Sequence, residues 1–420
     1  MKKNTFALAL TAALAAPVVS AQTPDQKIEV LQQEIDDLKA QIRKMPAARQ
    51  PGATQTPVDV ASPVDRGAGP GGGNTSLAGY GEANYGKFRE SGDAKADLRR
   101  FVFGLDHRFD DRLTFHSEIE LEHAVVSRED DGEVEIEQAW LNYRSSDAVN
   151  VKGGLFLIPL GVLNETHEPP TYYGVERNEV ETRIIPTTWR ELGFGVHGEL
   201  GEGFRYDAGI TTGFNSGKLD DPTVGIRSAH QEGQLADAHD LSVYVAINYR
   251  RPGLLAGGGV FTGNTGQNGQ ANPLLKGVAA RLTLWDVHAR YRVDRLDLQA
   301  LYASGTLGDA DRLNAAVGTT AATPFAVPKS MRGAYAQAAY HAYKDGKVDV
   351  APFVRIERFE IKQQEDPANG LFQDPNNFER VTTVGVNFKL HPQIVVKADA
   401  QRYHTDKSKD RFNLGVGYMF

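Results

Sequence analysis

Charged residues stand two apart along many short segments of this 420-residue chain. Arg100, Asp106 and Arg108 share one parity, and so do Glu118, Glu120 and Glu122. Asp286, His288, Arg290 and Arg292 repeat the pattern, as do Arg355 with Glu357 and Lys397 with Asp399. Lys152, Arg205, Lys389 and Arg411 occupy the same parity of their own segments. Side chains along a strand alternate between two faces. Each charged set therefore lies on one face, with apolar residues on the other. Basic and acidic walls facing each other across water set up a transverse field. Rings of Arg and Lys favour anions there, and rings of Asp and Glu favour cations. The plainer alternative is that these charges pair with one another and hydrate the wall.

A second concentration of chemistry lies between Gly161 and Trp189, with Glu165, His167, Glu168, Tyr172, Tyr173, Arg177 and Arg183, and Arg190 just beyond. A guanidinium binds phosphate or carboxylate through a planar fork. His167 between Glu165 and Glu168 has the types of a metal site, but no second histidine stands nearby in sequence. The chain lacks the nucleophile elbow, the zinc-binding helix motif and the phosphate-binding glycine loop. No enzyme activity, cofactor or metal is expected. A hydrolase with serine and histidine on neighbouring strands is kept as an alternative. The chain has no cysteine, which excludes disulfides and thiolate metal sites. A formal charge of −8 argues against nucleic acid.

Sixteen candidate strands carry the charges, near 77–89, 98–109, 113–126, 134–145, 149–160, 190–200, 204–214, 240–250, 254–263, 278–293, 295–306, 331–343, 347–361, 380–391, 393–404 and 410–420. The last alternates cleanly: Phe412, Leu414, Val416, Tyr418 and Phe420 against Arg411, Asn413, Gly415, Gly417 and Met419. One face suits lipid and the other water. The fourth breaks parity. Val134 and Ile136 oppose Ala139, Leu141 and Tyr143, which implies a bulge or a misplaced boundary. Short links, such as Asp110-Asp111 and Arg251–Gly253, alternate with long ones at 90–97, 127–133, 161–189, 215–239, 264–277, 307–330, 362–379 and 405–409. Short turns on one side and long loops on the other are the habit of up-and-down membrane barrels. Sixteen strands enclose room for an aqueous channel. The fold predicted is all-β: a sixteen-stranded antiparallel transmembrane barrel over 77–420, preceded by a short α-helical coiled coil. The longest loop, 161–189, is expected to fold into the lumen and bring Arg177 or Arg183 to a constriction.

Residues 1–21 read as a secretory signal, with Lys2 and Lys3 before an apolar run and small residues at Val19-Ser20-Ala21. In 22–45, Ile28, Leu31, Ile35, Leu38, Ile42 and Met45 repeat at three and four, the pattern of a parallel coiled coil projecting into the periplasm. Residues 46–76, rich in proline and glycine, read as a flexible linker.

Several segments resemble the phosphate-selective porin O and P family. Leu98-Arg99-Arg100 is similar to that family's basic strand start, and Gly154-Leu155-Phe156-Leu157-Ile158-Pro159 to its segment before the long third loop. Val175-Glu176-Arg177-Asn178, Ala351 through Glu357, and Val396-Lys397-Ala398-Asp399 are similar to further family segments. The resemblance implies a homotrimer in the bacterial outer membrane, each protomer with its own pore for small hydrophilic solutes, among them phosphate. The pore-lining or anion-contact residues expected are Arg100, Arg108, Lys152, Arg177, Arg183, Arg355, Lys389 and Lys397. The acidic run from Glu118 to Glu122 departs from a uniformly basic funnel and keeps a general or cation-leaning channel open as the alternative. A plugged barrel serving as an envelope tether is the other.

Overall fold

The computed structural model describes residues 74–219, 221–317 and 324–420. The expected signal and coiled coil, and nearly all of the linker, lie outside these residues.

Sixteen long strands close one antiparallel barrel. They are β1 (Thr75–Phe88), β2 (Ala94–Arg108), β3 (Leu113–Glu122), β4 (Val134–Arg144), β5 (Asn150–Leu157), β6 (Arg190–Gly201), β7 (Phe204–Thr211) and β8 (Ser242–Arg251). Then come β9 (Leu254–Asn264), β10 (Arg281–Val293), β11 (Leu296–Leu307), β12 (Pro328–Tyr340), β13 (Val348–Gln363), β14 (Phe378–His391), β15 (Ile394–Tyr403) and β16 (Arg411–Met419). Each pairs with its sequence neighbours, and β16 returns to β1 from Tyr80↔Met419 to Phe88↔Arg411. A three-residue piece, Tyr343–Asp345, extends β12 toward its turn with the register against β13 moved by one.

The outward face is apolar because the alternation puts it there. Phe412, Leu414 and Val416 of β16 are exposed, while Asn413 between them is buried in the lumen. No described helix is long and apolar enough to cross a membrane, and the apolar band is made of strands. Parity in β4 breaks at a bulge. Glu118 pairs with Gln138 and Ile119 with Ile136, so Glu137 is the extra residue. Val134, Ile136, Leu141 and Tyr143 thereby all face outward, and Glu137 and Gln138 both turn inward. A similar step in β2 makes Arg99 the extra residue, leaving Leu98 outside and Arg100 inside.

Short turns gather at one end of the barrel, here the turn end, and long connections at the other, the loop end. Two short helices occupy long connections: α1 (Val180–Arg183) between β5 and β6, and α2 (Ala310–Val317) between β11 and β12. At the loop end, inward residues of β9–β13 are apolar. Phe261, Leu282, Leu284, Leu301, Met331 and Ile361 pack with loop residues Leu160, Ile184, Leu219, Ile226, Leu275 and Leu313 in one cluster. Part of the lumen is therefore filled by an ordinary apolar core.

Candidate functional site

The loop from Ile158 to Thr188 lies inside the barrel, and its sequence explains how it is held. Gly161 adopts φ +75°, and a Cβ there would meet Glu181 Oε1 at 2.5 Å. Only glycine suits that position. Its N–H reaches Asp286 Oδ1 on β10 at 3.0 Å. The fully buried Glu181 carboxylate accepts from Val162 N (2.5 Å), Leu163 N (2.7 Å), Asn178 Nδ2 (2.9 Å) and the Tyr335 hydroxyl of β12 (2.8 Å). Asn164 joins the two ends of the loop. Its Nδ2 donates to Ile158 O (2.7 Å) and Trp189 O (2.9 Å), and its Oδ1 accepts from Trp189 N (2.8 Å).

The middle of the loop is gripped by β13 and β15. Arg355 donates to Tyr173 O at 3.1 Å and Lys397 to Gly174 O at 2.8 Å. Asp399 Oδ2 accepts from Val175 N at 2.6 Å, and Glu357 Oε2 accepts from Glu179 N at 2.6 Å. Lys397 Nζ also sits 3.6 Å from the Tyr172 ring centroid. A third attachment reaches β1 and β4. His167 Nδ1 lies 2.9 Å from Asn164 O, which requires a proton on Nδ1, and Nε2 lies 2.8 Å from Glu137 Oε1 and 2.7 Å from the Tyr80 hydroxyl. Tyr80 in turn donates to Glu137 Oε2 at 3.0 Å. Burial opposes charge on the imidazole, and the Glu137 carboxylate more than offsets it, so His167 titrates above its ordinary value. Glu118, Glu137 and His167 also bring ligand atoms within 4.8 Å of one another. The Tyr80 hydroxyl already occupies the approach to Nε2, so a buried ion pair accounts for this cluster.

The loop separates two kinds of space. On its loop-end side is a cavity of about 1070 Å³, open to solvent and lined by eight glutamates and six arginines. Tyr172, Glu176, Arg177 and Glu179 form its floor. On the turn-end side are three spaces of about 700, 760 and 1500 Å³, the first two reached by Glu165 and the last lined by Arg108, Arg112 and Arg144. No lining residue of the loop-end cavity is shared with these three.

The eight basic residues singled out in the sequence do not converge. Arg100 and Arg177 line the loop-end cavity. Arg100 is buried among Glu82 (3.0 Å), Glu120 (3.0 Å) and Glu122 (3.6 Å). Arg177 differs, because its Nε and Nη2 are buried with no hydrogen-bond partner among the described residues. Arg227, from the β7–β8 connection, lines the same cavity. It reaches water there, yet the surrounding walls and then the Arg177 charge pull its guanidinium below the ordinary value. Arg183 pairs with Glu179 at 2.6 Å and lies 5.0 Å from the Phe359 ring. Lys152 pairs with Asp207 at 2.5 Å on the turn-end side. Arg108 is exposed in the large turn-end space, and Lys389 is half-buried near the turn end of β14. Arg355 and Lys397 hold loop carbonyls. Glu181, Asn164 and Glu137 were not singled out in the sequence. Only Glu137 left a signal there, the parity break in β4.

No family model matches the chain. An uncharacterised protein of Aquifex aeolicus (strain VF5) is 29% identical over 357 residues, spanning 82% of this chain and 80% of that protein. Salmonella typhi OmpF, in a complex with daunomycin, superposes with a TM-score of 0.56 at 13% identity, covering 82% of this chain and 97% of that one. Pseudomonas putida OprB gives 0.52 at 13% identity, with 83% and 94% covered. OmpT of Vibrio cholerae, in a trimer form, gives 0.50 at 11% identity, with 82% and 99% covered. The fold is that of bacterial outer-membrane porins.

Proposed function

We propose that the protein is an outer-membrane porin, passing small hydrophilic solutes through a lumen narrowed by the 158–188 loop. The observation that carries this reading is the pairing of a closed barrel with an inward loop whose polar floor faces a solvent-open cavity. Anions, phosphate among them, are drawn to the cavity by Arg177, whose guanidinium has no carboxylate within pairing distance among the described residues and can turn to give a phosphate a two-pronged contact. Arg227 adds a second charge nearby. Assembly as a homotrimer, with the 22–45 segment helping from the periplasm, belongs to the same reading and is supported by the trimer form of one similar barrel. One observation favours a general or cation-leaning channel instead: glutamates outnumber arginines around the cavity, eight to six. The apolar core that fills part of the lumen favours the plugged barrel.

Planar-bilayer recording separates the three. The parent is expected to conduct, with chloride current blocked by phosphate. Replacing Arg177 by alanine removes one charge from the aqueous path. At about 8 Å in water-like surroundings that charge is worth about 0.5 kcal/mol, or about twofold in the local concentration of each ion. The reversal potential in a KCl gradient should move toward cations and phosphate block should weaken. Unchanged values in Arg177→Ala support the general channel, and a silent parent supports the plug.

A further inference from the structure

On the outer surface of β12–β15 the loop end carries cations where a membrane strand usually carries apolar or neutral groups. Arg332, Arg358, Lys362, Arg380 and Arg402 all point outward and are exposed, with the exposed His404 beside them. Arg358 stands directly opposite Arg380 in the ladder between β13 and β14. Arg402 is opposite Thr382, one step diagonal from Arg380. Like charges facing each other across strands are unfavourable. Glu360 is the one carboxylate on this patch of the four strands, and it is taken by Arg332. Among the described residues no carboxylate pairs with Arg358, Arg380 or Arg402. Arg380 Nη2 instead lies 3.0 Å from His404 Nδ1, a contact that uses the neutral ring.

The height of the patch says what lies beside it. Below the arginines the same faces are apolar, with Ile356, Val354 and Val384 exposed, down to Phe388 near the turn end. Arg380 and Phe388 are eight residues apart on β14, about 27 Å along the strand and about 20 Å in height after tilting. That is close to the full apolar band of a membrane barrel, about 25 Å. The arginines therefore stand at the level of the lipid headgroups on the loop side. The cations are densest in this sector, with Lys87 on β1 and Arg281 on β10 as exposed outward cations elsewhere toward the loop end. At comparable positions on β3, β4, β6, β7 and β8 the outward residues are Leu121, Val134, Leu192, Ile210 and Val243.

We propose that this belt, centred on Arg358, Arg380 and Arg402, binds the phosphorylated headgroup of a glycolipid in the leaflet on the loop side. The proposal rests on the outer-membrane reading. A phosphate between opposed guanidiniums relieves their repulsion and accepts from both forks. A headgroup with two phosphates fits a belt three strands wide better than a single one does.

The test uses the full chain in detergent with diphosphorylated lipid A as probe, dephosphorylated lipid A as control, and native mass spectrometry as readout. The parent should retain the diphosphorylated form at least tenfold better. The triple variant Arg358→Ala, Arg380→Ala, Arg402→Ala should lose that preference while keeping heat-modifiable mobility on gels. Equal retention of both lipids by the parent, or an undiminished preference in the variant, overturns the proposal. So does loss of oligomer in the variant without a change in lipid retention, which assigns the belt to contact between copies. Bilayer conductance on the same samples keeps the readings apart: lipid preference in a silent barrel removes the channel and leaves the belt.

Discussion

Two walls of the same lumen hold the same loop by different mixtures of forces. On the side of β9–β13 hydrogen bonds with Asp286, Tyr335, Arg355 and Glu357 are joined by apolar burial, as Leu160, Val180, Ile184 and the adjoining Trp189 enter a core that also takes residues from three other loops. On the side of β1–β4 the loop is held by polar attachments: His167 with Glu137 and Tyr80, and the Tyr172 hydroxyl donating to Glu82 at 3.1 Å. Apolar burial is non-directional and indifferent to pH near neutrality. A buried ion pair is directional and titrates. If the loop moves, its edge should therefore lift first from the β1–β4 wall, next to the open loop-end cavity. The apolar wall then acts as the hinge side.

The comparison breaks most readily at Trp189. The indole is 1% exposed, with ring centroids of Phe214 and Phe261 at 5.2 and 4.5 Å and Nε1 donating to Glu191 at 3.1 Å. Trp189→Ala should cost about 3–5 kcal/mol, read from urea unfolding of the refolded barrel, and should raise current noise as the loop loosens. A cost below about 1 kcal/mol would mean that the apolar wall does not hold the loop.

The polar wall is sharpened by pH. His167 titrates above its ordinary value, so its charged form is favoured by the fold. That stabilisation is complete below about pH 6.5. It is lost as pH rises through the raised value. Glu137, Glu118, Glu120, Glu168 and Arg177 share its surroundings, and imidazole is the side chain whose ordinary charge change falls near neutrality. Tryptic cleavage after Arg177 or Arg183, normalised to a control peptide, should increase as pH rises across it. His167→Gln should cleave readily at every pH. A parent with a flat profile would mean that the His167–Glu137 pair does not hold this edge of the loop.

How much of this was legible in sequence depends on the kind of signal. Strand alternation and the sorting of loop lengths are local and periodic, and sixteen strands emerge within a few residues of their ends. The β4 irregularity was visible as a parity break, though not as the device that turns Glu137 toward His167. The loop's inward course followed from its length. Its anchors did not, because Glu181 meets Tyr335 and Asp399 meets Val175 across separations of 154 and 224 residues that no local pattern reports. For the same reason the basic residues read well as lumen-facing and poorly as a group. Parity gives the face, but not which carboxylate waits on the opposite strand, as Glu82 and Glu120 do for Arg100.

The smallest effect is expected at Arg183, and it separates two arginines that the sequence treats alike. Arg177 lines the cavity with nitrogens unengaged, whereas Arg183 faces Glu179 and the Phe359 ring on the β13 side. Removing Arg183 alone would leave the Glu179 charge uncompensated at the cavity floor and confuse field with structure. The pair should therefore be removed together, as Arg183→Ala with Glu179→Gln. Glutamine keeps an oxygen for the Tyr403 hydroxyl, which donates to Glu179 at 2.6 Å. A partly exposed ion pair with one ring contact contributes about 1 kcal/mol or less. The double variant should unfold within about that margin of the parent and keep its reversal potential and phosphate block. A clear loss of phosphate block in it would move the anion contact from Arg177 toward the apolar wall, and the division of labour between the two walls would fail.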